Sequence, residues 1–333
     1  TNHAHRGRQG RPTISPGPTP DTRHPTPDTR RLATTPSRGE TRQADLAIQK
    51  GSPLPSRRHK QAWEDWGTLD PLYAVLTDPR YRNGGDLEQF LRSGEEMVAS
   101  LLGEAERLGV QVHFDTALDF GCGVGRLTRG LSRYFEHVVG LDIAESMVKR
   151  ARSMNADLPG CTFEVHTGDD LRSTITSSVD FVVCLFVLQH QPSTSAIETY
   201  MREFVRVLRP GGLAVVQMPS RVPTAPPLPP WWTRAGARSR LQAGARRVGM
   251  DPARLYRSGQ WVPEMTMTGL SHERTLAVLE GSGGRVVHSS EPAVDEAGTE
   301  SRIYFVVRLS RPTRDARHEA PDTRRPTRAV PPK

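Results

Sequence analysis

The sequence predicts an α/β protein in which a mostly parallel, seven-stranded sheet carries helices on both faces. From Thr116 to Met218, strand-like and helix-like segments alternate and the links between them are short, which is the pattern of a parallel sheet with crossover helices. The longest apolar run, Phe181–Leu188, is too short to span a bilayer and has the length of a strand buried on both faces.

A long helix is predicted before the first strand. Asp86 can cap its first turn, apolar residues recur at three- and four-residue steps as far as Leu108, and Gly109 follows where a C-terminal glycine belongs. Order is expected to begin near Trp63, so that the helical segments before the sheet form an N-terminal cap.

Five strands and three helices follow in the alternating region. The strands are predicted at Ala117–Phe120, His137–Leu141, Thr162–His166, Val179–Leu185 and Leu213–Met218, and the helices at Gly125–Tyr134, Ala144–Met154 and Thr194–Leu208. The sequence Arg-Pro-Gly-Gly at Arg209–Gly212 is expected to end the last helix and turn into the fifth strand.

Beyond the fifth strand the alternation stops. Residues 219–265 are rich in Pro, Trp and Arg and are interpreted as an insertion on the substrate side. A helix at His272–Leu279 and two strands at Arg285–Ser289 and Arg302–Leu309 follow, and the two strands suit an antiparallel pair at the edge of the sheet.

Both ends of the chain differ in composition from the middle. Residues 1–60 contain twelve Lys and Arg against four Asp and Glu, and residues 311–333 contain seven against three, so the whole basic excess lies in the ends. Large apolar residues are rare there and a seven-residue Pro- and Thr-rich repeat begins at Pro18, which predicts disordered tails. The chain is predicted to consist of a tail (1–60), one domain (61–310) and a second tail (311–333). Within the domain, a helical cap (61–112) precedes a cofactor-binding core (113–220). The insertion (219–265) and a final helix with edge strands (266–310) follow.

The cysteines and the apolar segments indicate the compartment. Cys122, Cys161 and Cys184 are widely spaced and odd in number, which fits neither a disulfide framework nor a zinc site. No segment shows the apolar core and cleavage site of a secretory signal. We therefore expect a soluble, cytoplasmic protein without a metal site and without membrane insertion.

A glycine-rich turn, LDFGCGVGRL, carries the strongest chemical signal. Gly121, Gly123 and Gly125 lie between a predicted strand and a predicted helix, with Asp119 two residues before the first of them. A P-loop is excluded because Lys and Ser/Thr do not follow the last glycine, and the dinucleotide fingerprint is excluded because Arg126 occupies the place of its third glycine.

Acidic residues follow the second and third strands at places suited to a nucleoside. Asp142 ends the second strand 23 residues after Asp119, where a carboxylate can accept hydrogen bonds from two ribose hydroxyls. Asp169 and Asp170 follow the third strand, where an adenine amino group could be reached. Capping of a strand end is the structural alternative for Asp142 and Asp169.

Five segments together resemble a class I S-adenosylmethionine-dependent methyltransferase. They are LDFGCGVGRL, VVGLDIAESMVKRAR, HTGDDL, VDFVVCLFVLQHQ and VLRPGGLAVV, in the order and spacing of that family between about Ala117 and Ser220. The resemblance implies a Rossmann-like sheet with S-adenosyl-L-methionine as the cofactor, and the flanking segments DPLYAVLTDP and SRIYFVV resemble, more loosely, the ends of small-molecule members.

The resemblance also implies roles for single residues around the cofactor. Asp119 and the backbone of Gly121–Gly125, Cys122 included, would hold the methionine end, and the Leu185 carbonyl would accept a hydrogen bond from the methionine ammonium. No reactive role is expected for the Cys122 thiol, because no basic partner is evident.

At the nucleoside end the resemblance assigns four further residues. Asp142 would bind the ribose hydroxyls, and Ile143 would lie against the adenine face. Asp169 would accept a hydrogen bond from the adenine amino group, and the Asp170 amide would donate one to the ring.

His190, just beyond the fourth strand, is the candidate catalytic base. An imidazole titrates near neutral pH and could take a proton from a hydroxyl acceptor; the alternative is that His190 caps a helix or lines the pocket. Aromatic residues on both sides could form an apolar lid, and an Arg-rich stretch of the insertion could attract an anionic acceptor or form a solvated face. The aromatic residues are Trp63, Trp66, Tyr73, Tyr81, Trp231, Trp232 and Trp261, and the arginines run from Arg234 to Arg257.

The predicted function is therefore an enzyme that methylates a small-molecule acceptor, at oxygen, by in-line displacement. The signatures of amino-methylating enzymes of nucleobases and of RNA cytosine methyltransferases are absent from the sequence, and no stable nucleic-acid partner is expected. The alternative is a nucleic-acid-binding protein or RNA methyltransferase that uses the basic tails.

Overall fold

The computed structural model describes residues 56–166, 171, 174, 176–223, 251–257, 262–263 and 265–310. Its helices are α1 (Ser56–Leu69), α2 (Pro71–Leu76), α3 (Leu87–Arg107), α4 (Arg126–Leu131), α5 (Glu145–Met154), α6 (Thr194–Val207), α7 (Pro252–Arg257) and α8 (His272–Gly281). Its strands are β1 (Thr116–Phe120), β2 (His137–Asp142), β3 (Cys161–Val165), β4 (Val179–Cys184), β5 (Leu208–Arg221), β6 (Gly284–Ser289), β7 (Ala293–Val294) and β8 (Glu300–Arg308). None of these helices is both long and apolar enough to cross a membrane.

The strands form one sheet in the order β3-β2-β1-β4-β5-β8-β6, and the two-residue strand β7 pairs with β8. Strands β1 to β5 are parallel, whereas β8 is antiparallel to both β5 and β6. The predicted mostly parallel sheet is confirmed, and so is the antiparallel pair at its edge. Because β8 inserts between β5 and β6, β6 is the outermost strand on that side.

The order of the strands reverses at β1. After β1 the chain builds β2 and β3 on one side and then returns to place β4 on the other side. Asp119 near the end of β1 therefore lies opposite Gly140 of β2 and Val183 of β4. In parallel sheets this point is where ligands bind, because helices leaving in opposite directions open a crevice beyond the strand ends.

Helices cover both faces of the sheet, as the alternating pattern predicts. On one face, Leu118 and Phe120 of β1 belong to a buried cluster with α6 and α8, which includes Phe204 and Leu279. On the other face, Ala117 belongs to a cluster with α3 and α4. Successive residues of β1 thus point to opposite layers, which makes the strand apolar on both sides.

The fifth strand is longer than predicted. The sequence break at Arg209–Gly212 was expected to lie before the strand, but β5 begins at Leu208 and includes all four residues. Leu208 pairs with Val179, and after a shift in register Leu213 pairs with Phe181. Gly211 has φ +81°, so the glycine allows a local irregularity through which the strand continues.

The boundaries of two helices follow from their caps. The Asp86 side chain accepts a hydrogen bond from the Gln89 amide at the start of α3, which confirms the predicted cap. Helix α4 begins one residue after the predicted Gly125, because Gly125 has φ +86° and cannot belong to the helix, and it ends at Leu131, before the predicted Tyr134.

Helix α1 is fastened to the start of α5 by one acidic side chain. The Glu64 carboxylate accepts hydrogen bonds from the amides of Glu145, at 2.7 Å, and Ser146, at 2.9 Å. Residue Ala144 at the N-cap of α5 offers no side-chain acceptor, so Glu64 supplies the capping that the helix lacks locally. This contact holds α1 beside the carboxyl end of β2.

Helices α3 and α4 cross at a pair of glycines. A Cβ atom at Gly94 would lie 2.2 Å from the carbonyl oxygen of Arg126 and 2.7 Å from its Cγ atom. A Cβ atom at Gly130 would lie 2.8 Å from the Gly94 carbonyl oxygen. Both glycines are therefore needed for close packing of the two helices.

A pair of glycine substitutions within α3 tests this packing. Gly94→Ala is expected to lower the free energy of unfolding by about 1–3 kcal/mol, because the added methyl group overlaps Arg126. Gly103→Ala is the matched control: nothing lies within 4 Å of its Cβ position, so the higher helix propensity of alanine should raise stability by up to about 1 kcal/mol. Urea unfolding monitored by circular dichroism measures both, and changes of the same sign would contradict the account.

Candidate active site

A cleft lies beyond the carboxyl ends of β1, β2 and β4. Its empty volume, including the part open to solvent, is about 870 Å³. Helix α1 contributes His59 and Trp63 to one wall. The predicted site residues that line the cleft are Asp119, Gly121, Cys122, Gly123, Asp142, Ile143, Leu185 and His190.

Three of the predicted cofactor residues do not belong to this set. Asp169 and Asp170 lie outside the described residues. Gly125 is buried behind the cleft, and a Cβ atom there would lie 2.5 Å from Nδ2 of Asn155. Its place in the turn follows from its positive φ and the lack of space for a side chain.

The glycine turn is held against the end of β2. The amides of Gly121 and Cys122 both donate hydrogen bonds to the Leu141 carbonyl, at 2.7 and 2.9 Å. Gly121 has φ +75°, and a Cβ atom there would lie 2.2 Å from Cγ2 of Val187. A side chain at Gly121 would therefore close the space between the turn and the loop after β4.

Asp142 lies at the centre of the hydrogen bonds in the cleft. Its carboxylate accepts one hydrogen bond from the Gly123 amide and one from the Ala144 amide, both 2.9 Å long. Desolvation raises the pKa of Asp142 to about 6 despite these hydrogen bonds. Asp142 thus orders the chain on both sides of the strand end and also faces the cleft.

Asp119 is the more deeply buried carboxylate, with 2% of its surface exposed. The Thr128 hydroxyl donates a 2.6 Å hydrogen bond to it. Burial raises the pKa of Asp119 to about 6, although the Thr128 hydrogen bond and the nearby Arg126 charge act in the opposite direction. A cationic ligand bound beside such a carboxylate would stabilise its ionised form.

The backbone after β4 is strained where it borders the cleft. Phe186 has φ +62°, a conformation that costs a bulky residue about 1–3 kcal/mol. The Phe186 amide donates a 2.9 Å hydrogen bond to the Gln217 side chain, which holds this conformation. The strained residue directly follows Leu185, whose carbonyl is the predicted partner of the methionine ammonium.

His190 is buried in the wall of the cleft and held by two hydrogen bonds. Its Nδ1 atom lies 2.9 Å from the Thr266 carbonyl and its Nε2 atom lies 3.2 Å from Nε2 of Gln189. Since a carbonyl only accepts, the neutral ring carries its proton on Nδ1 and presents an acceptor at Nε2. Burial lowers the pKa of His190 to about 4, so the ring is neutral at pH 7.

Of the aromatic residues predicted to form a lid, Trp63 lines the cleft and its ring packs against His190, with centroids 5.1 Å apart. Trp66, Tyr73 and Tyr81 pack in the cap behind that wall, where the Tyr256 hydroxyl of α7 also binds Asp70. Trp231, Trp232 and Trp261, and the arginines from Arg234 to Arg247, lie outside the described residues.

Sequence reasoning missed several residues of the site. His59 was assigned to the basic tail, yet it lies in α1 and faces the cleft. Arg126 was considered only as a departure from a glycine motif, yet its side chain lines the cleft. Its position on the first turn of the helix after the glycine turn was the signal available in the sequence. The Cys122 thiol is buried with a raised pKa, in agreement with an unreactive role.

Replacing Asp119 tests the electrostatic description of the ligand-free cleft. The folded-state pKa of about 6 lies above the ordinary 3.8, so the folded protein binds this proton more tightly than the unfolded chain does. The contribution of Asp119 to the free energy of unfolding is therefore fully present below pH 4. It is lost as the pH rises through about 6, and the total loss is about 3 kcal/mol. Asp119→Asn removes this loss and should be more stable than the wild type at pH 7 but not at pH 4.

Urea unfolding between pH 4 and pH 7 measures this difference. Asp157→Asn serves as a control, because Asp157 is exposed and paired with Arg129. If the free energy of unfolding depends on pH in the same way for Asp119→Asn and wild type, the ionised Asp119 carboxylate is not destabilised in the folded state.

Comparisons with known proteins find similarity in the part of the chain that contains β1 to β5. Residues 118–216 match the family described as Methyltransferase domain. The ubiquinone biosynthesis O-methyltransferase of Xanthomonas oryzae pv. oryzae is 34% identical over 114 residues, which are 32% of this chain and 44% of that protein. The enzyme of the same name from Xanthomonas axonopodis pv. citri is 33% identical over 110 residues. The chain thus spans less than half the length of these curated relatives.

Among solved structures, a methyltransferase from Leishmania major is similar with a TM-score of 0.49 and 14% identity, covering 78% of this chain and 88% of that one. The magnesium protoporphyrin IX methyltransferase of Synechocystis PCC 6803 is similar with a TM-score of 0.45 and 18% identity. The similarity covers 81% of this chain and 99% of that one.

Proposed function

We propose that this chain, whose residues 118–216 form a class I S-adenosylmethionine-dependent methyltransferase domain, transfers a methyl group to an oxygen atom of a small-molecule acceptor. The observation that carries the proposal is the pair of desolvated carboxylates, Asp119 and Asp142, at the reversal of the strand order. Two such acids one strand apart suit a ligand that bears both a cation and ribose hydroxyls.

The nucleoside end of the cofactor fits at Asp142. A carboxylate has about four acceptor positions, and two of them are used by the Gly123 and Ala144 amides. The remaining acceptor capacity of the carboxylate would serve the ribose hydroxyls. Ile143 lines the same part of the cleft and would contact the adenine, and Asp169 and Asp170 are proposed to bind the adenine edge.

The methionine end fits between β1 and the loop after β4. Asp119 would bind the ammonium group together with the Leu185 carbonyl, and the absence of a side chain at Gly121 leaves room for the ligand chain. Gly123 and Cys122 contribute backbone to the same wall.

The bound cofactor supplies an electrophilic methyl group on a sulfonium ion, and the protein aligns the acceptor with it. Alignment alone contributes about 7–11 kcal/mol in favourable cases. Trp63 and His59 of α1 cover the cleft from the side of the cap, and they would exclude water from the reacting atoms.

His190 is proposed to bind the hydroxyl group of the acceptor. Its Nε2 atom is an acceptor in the neutral ring, and the hydroxyl would replace the Gln189 amide there. With a pKa of about 4, His190 is a weak base, so it would orient the hydroxyl and take its proton as the bond to carbon forms.

The walls near His190 favour an uncharged acceptor. At this end the cleft is lined by His59, Trp63, Phe186, Val187 and Gln191, none of which carries a full charge at neutral pH with the lowered His59 pKa. The names of the curated relatives, which are O-methyltransferases of ubiquinone biosynthesis, support oxygen as the acceptor atom.

Cofactor binding is tested with S-adenosylhomocysteine, the demethylated product. Asp142→Ala should weaken its binding by roughly 100-fold or more, because two hydrogen bonds to a charged acceptor are lost. Isothermal titration calorimetry measures the dissociation constant. Asp157→Ala, at an exposed carboxylate outside the cleft, should bind like the wild type. Wild-type protein that fails to bind the ligand would contradict the proposal.

The role of His190 is tested by turnover. Phenols, carboxylic acids and primary amines are offered with S-adenosylmethionine, and formation of S-adenosylhomocysteine is followed. We expect turnover with a neutral hydroxyl compound, and His190→Gln should lower kcat by about 100-fold while leaving S-adenosylhomocysteine affinity within threefold. His113→Gln, at an exposed histidine, is the control. Turnover confined to amines, or an unchanged kcat, would contradict the role.

A further inference from the structure

Arg126 is a buried cation in the wall of the cleft. It is the first residue of α4, directly after Gly125, and 3% of its surface is exposed. Its side chain passes between α3 and the cleft, in the space that Gly94 leaves open: a Cβ atom at Gly94 would lie 2.7 Å from the Arg126 Cγ.

The guanidinium group has little compensation from the protein. Its Nη1 donates a 3.2 Å hydrogen bond to the neutral Ser93 hydroxyl, and its carbon lies 6.0 Å from the centre of the Phe90 ring. Its Nε is buried without a hydrogen-bond partner. In the described part of the chain no carboxylate oxygen lies within ion-pair distance of the guanidinium nitrogens. Burial lowers the pKa of Arg126.

The burial of Arg126 without an ion-pair partner does not stabilise the folded protein. A buried charge without an ion-pair partner is costly to the folded state, and a long apolar residue would cover Phe90 equally well. Asp119 is close enough to influence Arg126 electrostatically, but its carboxylate is bonded to Thr128. A buried arginine that is left unpaired beside an open cleft is suited to an anionic group of a ligand.

We infer that Arg126 is the counter-ion for the α-carboxylate of the cofactor's methionine end. This inference rests on the proposed function, which places the methionine ammonium at Asp119. Arg126 and Asp119 line the same part of the cleft with opposite charges, so together they match both charges of an α-amino acid. Asp119 and Arg126 would then face the ammonium and the carboxylate of the methionine end, while Asp142 faces the ribose hydroxyls.

The test compares two ligands that differ by one group. S-adenosylhomocysteine and its decarboxylated analogue, which keeps the amine, are titrated into the wild type by calorimetry. The wild type should prefer S-adenosylhomocysteine by roughly 10- to 100-fold, as expected for a charge-assisted hydrogen bond. In Arg126→Met this preference should fall below threefold, and in Arg126→Lys, which keeps the charge, part of it should remain.

Two further measurements separate binding from structure. Arg133→Gln, at an exposed arginine paired with Glu95, should keep the full preference. Ligand-free Arg126→Met should have a melting temperature equal to or above that of the wild type, because a buried charge is removed. A lower melting temperature, together with an equal loss of affinity for both ligands, would assign Arg126 a structural role and overturn the inference.

The outcome in the wild type distinguishes a failure of the proposed function from a failure of the role assigned to Arg126. If the wild type binds neither ligand at millimolar concentration, the proposed function fails and the role of Arg126 fails with it. If the wild type binds both ligands equally well, the cofactor site stands and the assignment of Arg126 is overturned, even if Arg126→Met does not fold.

Discussion

The two hydrogen bonds of the Asp142 carboxylate hold the site together. One fixes the glycine turn after β1 through the Gly123 amide, and the other fixes the start of α5 through the Ala144 amide. Helix α1 is attached to α5, because Glu64 of α1 accepts hydrogen bonds from the first amides of α5. The wall of the cleft formed by α1, where the acceptor is proposed to bind, is therefore connected to the ends of β1 and β2, where the cofactor is proposed to bind. The connection is a short series of capping interactions with Asp142 at its centre.

The cleft is electrostatically unfavourable without a ligand. Asp119 and Asp142 have raised pKa values, and Arg126 is buried with an unpartnered Nε. Each of these groups weakens the folded state, and each would be compensated by one part of the proposed cofactor. The stability of the folded protein and its affinity for a ligand are thus opposed at the same residues, as is common in binding sites.

Periodicity and caps made most of the fold predictable, since β1 and β4 are buried along almost their whole length and α3 has a local cap at Asp86. The start of β5 was not predictable, because Pro210 and Gly211 are usual at a break and only pairing with β4 shows that the strand continues through them. Asp119 and Asp142 were recognisable from their positions at the carboxyl ends of strands. Arg126 and His59 were not, because their exposure to the cleft depends on the crossing of α3 and α4 and on the attachment of α1, which are contacts distant in sequence.

Proton release on ligand binding tests the central claim, that Asp119 and Asp142 are desolvated acids awaiting the cofactor. Calorimetric titration of S-adenosylhomocysteine at pH 6, in buffers of different ionisation enthalpy, measures the number of protons exchanged. Both acids are about half protonated at that pH in the free protein, and ligand contacts should ionise them. The account predicts a net release approaching one proton at pH 6 and almost none at pH 8. Binding heats that do not depend on the buffer at pH 6 would contradict it.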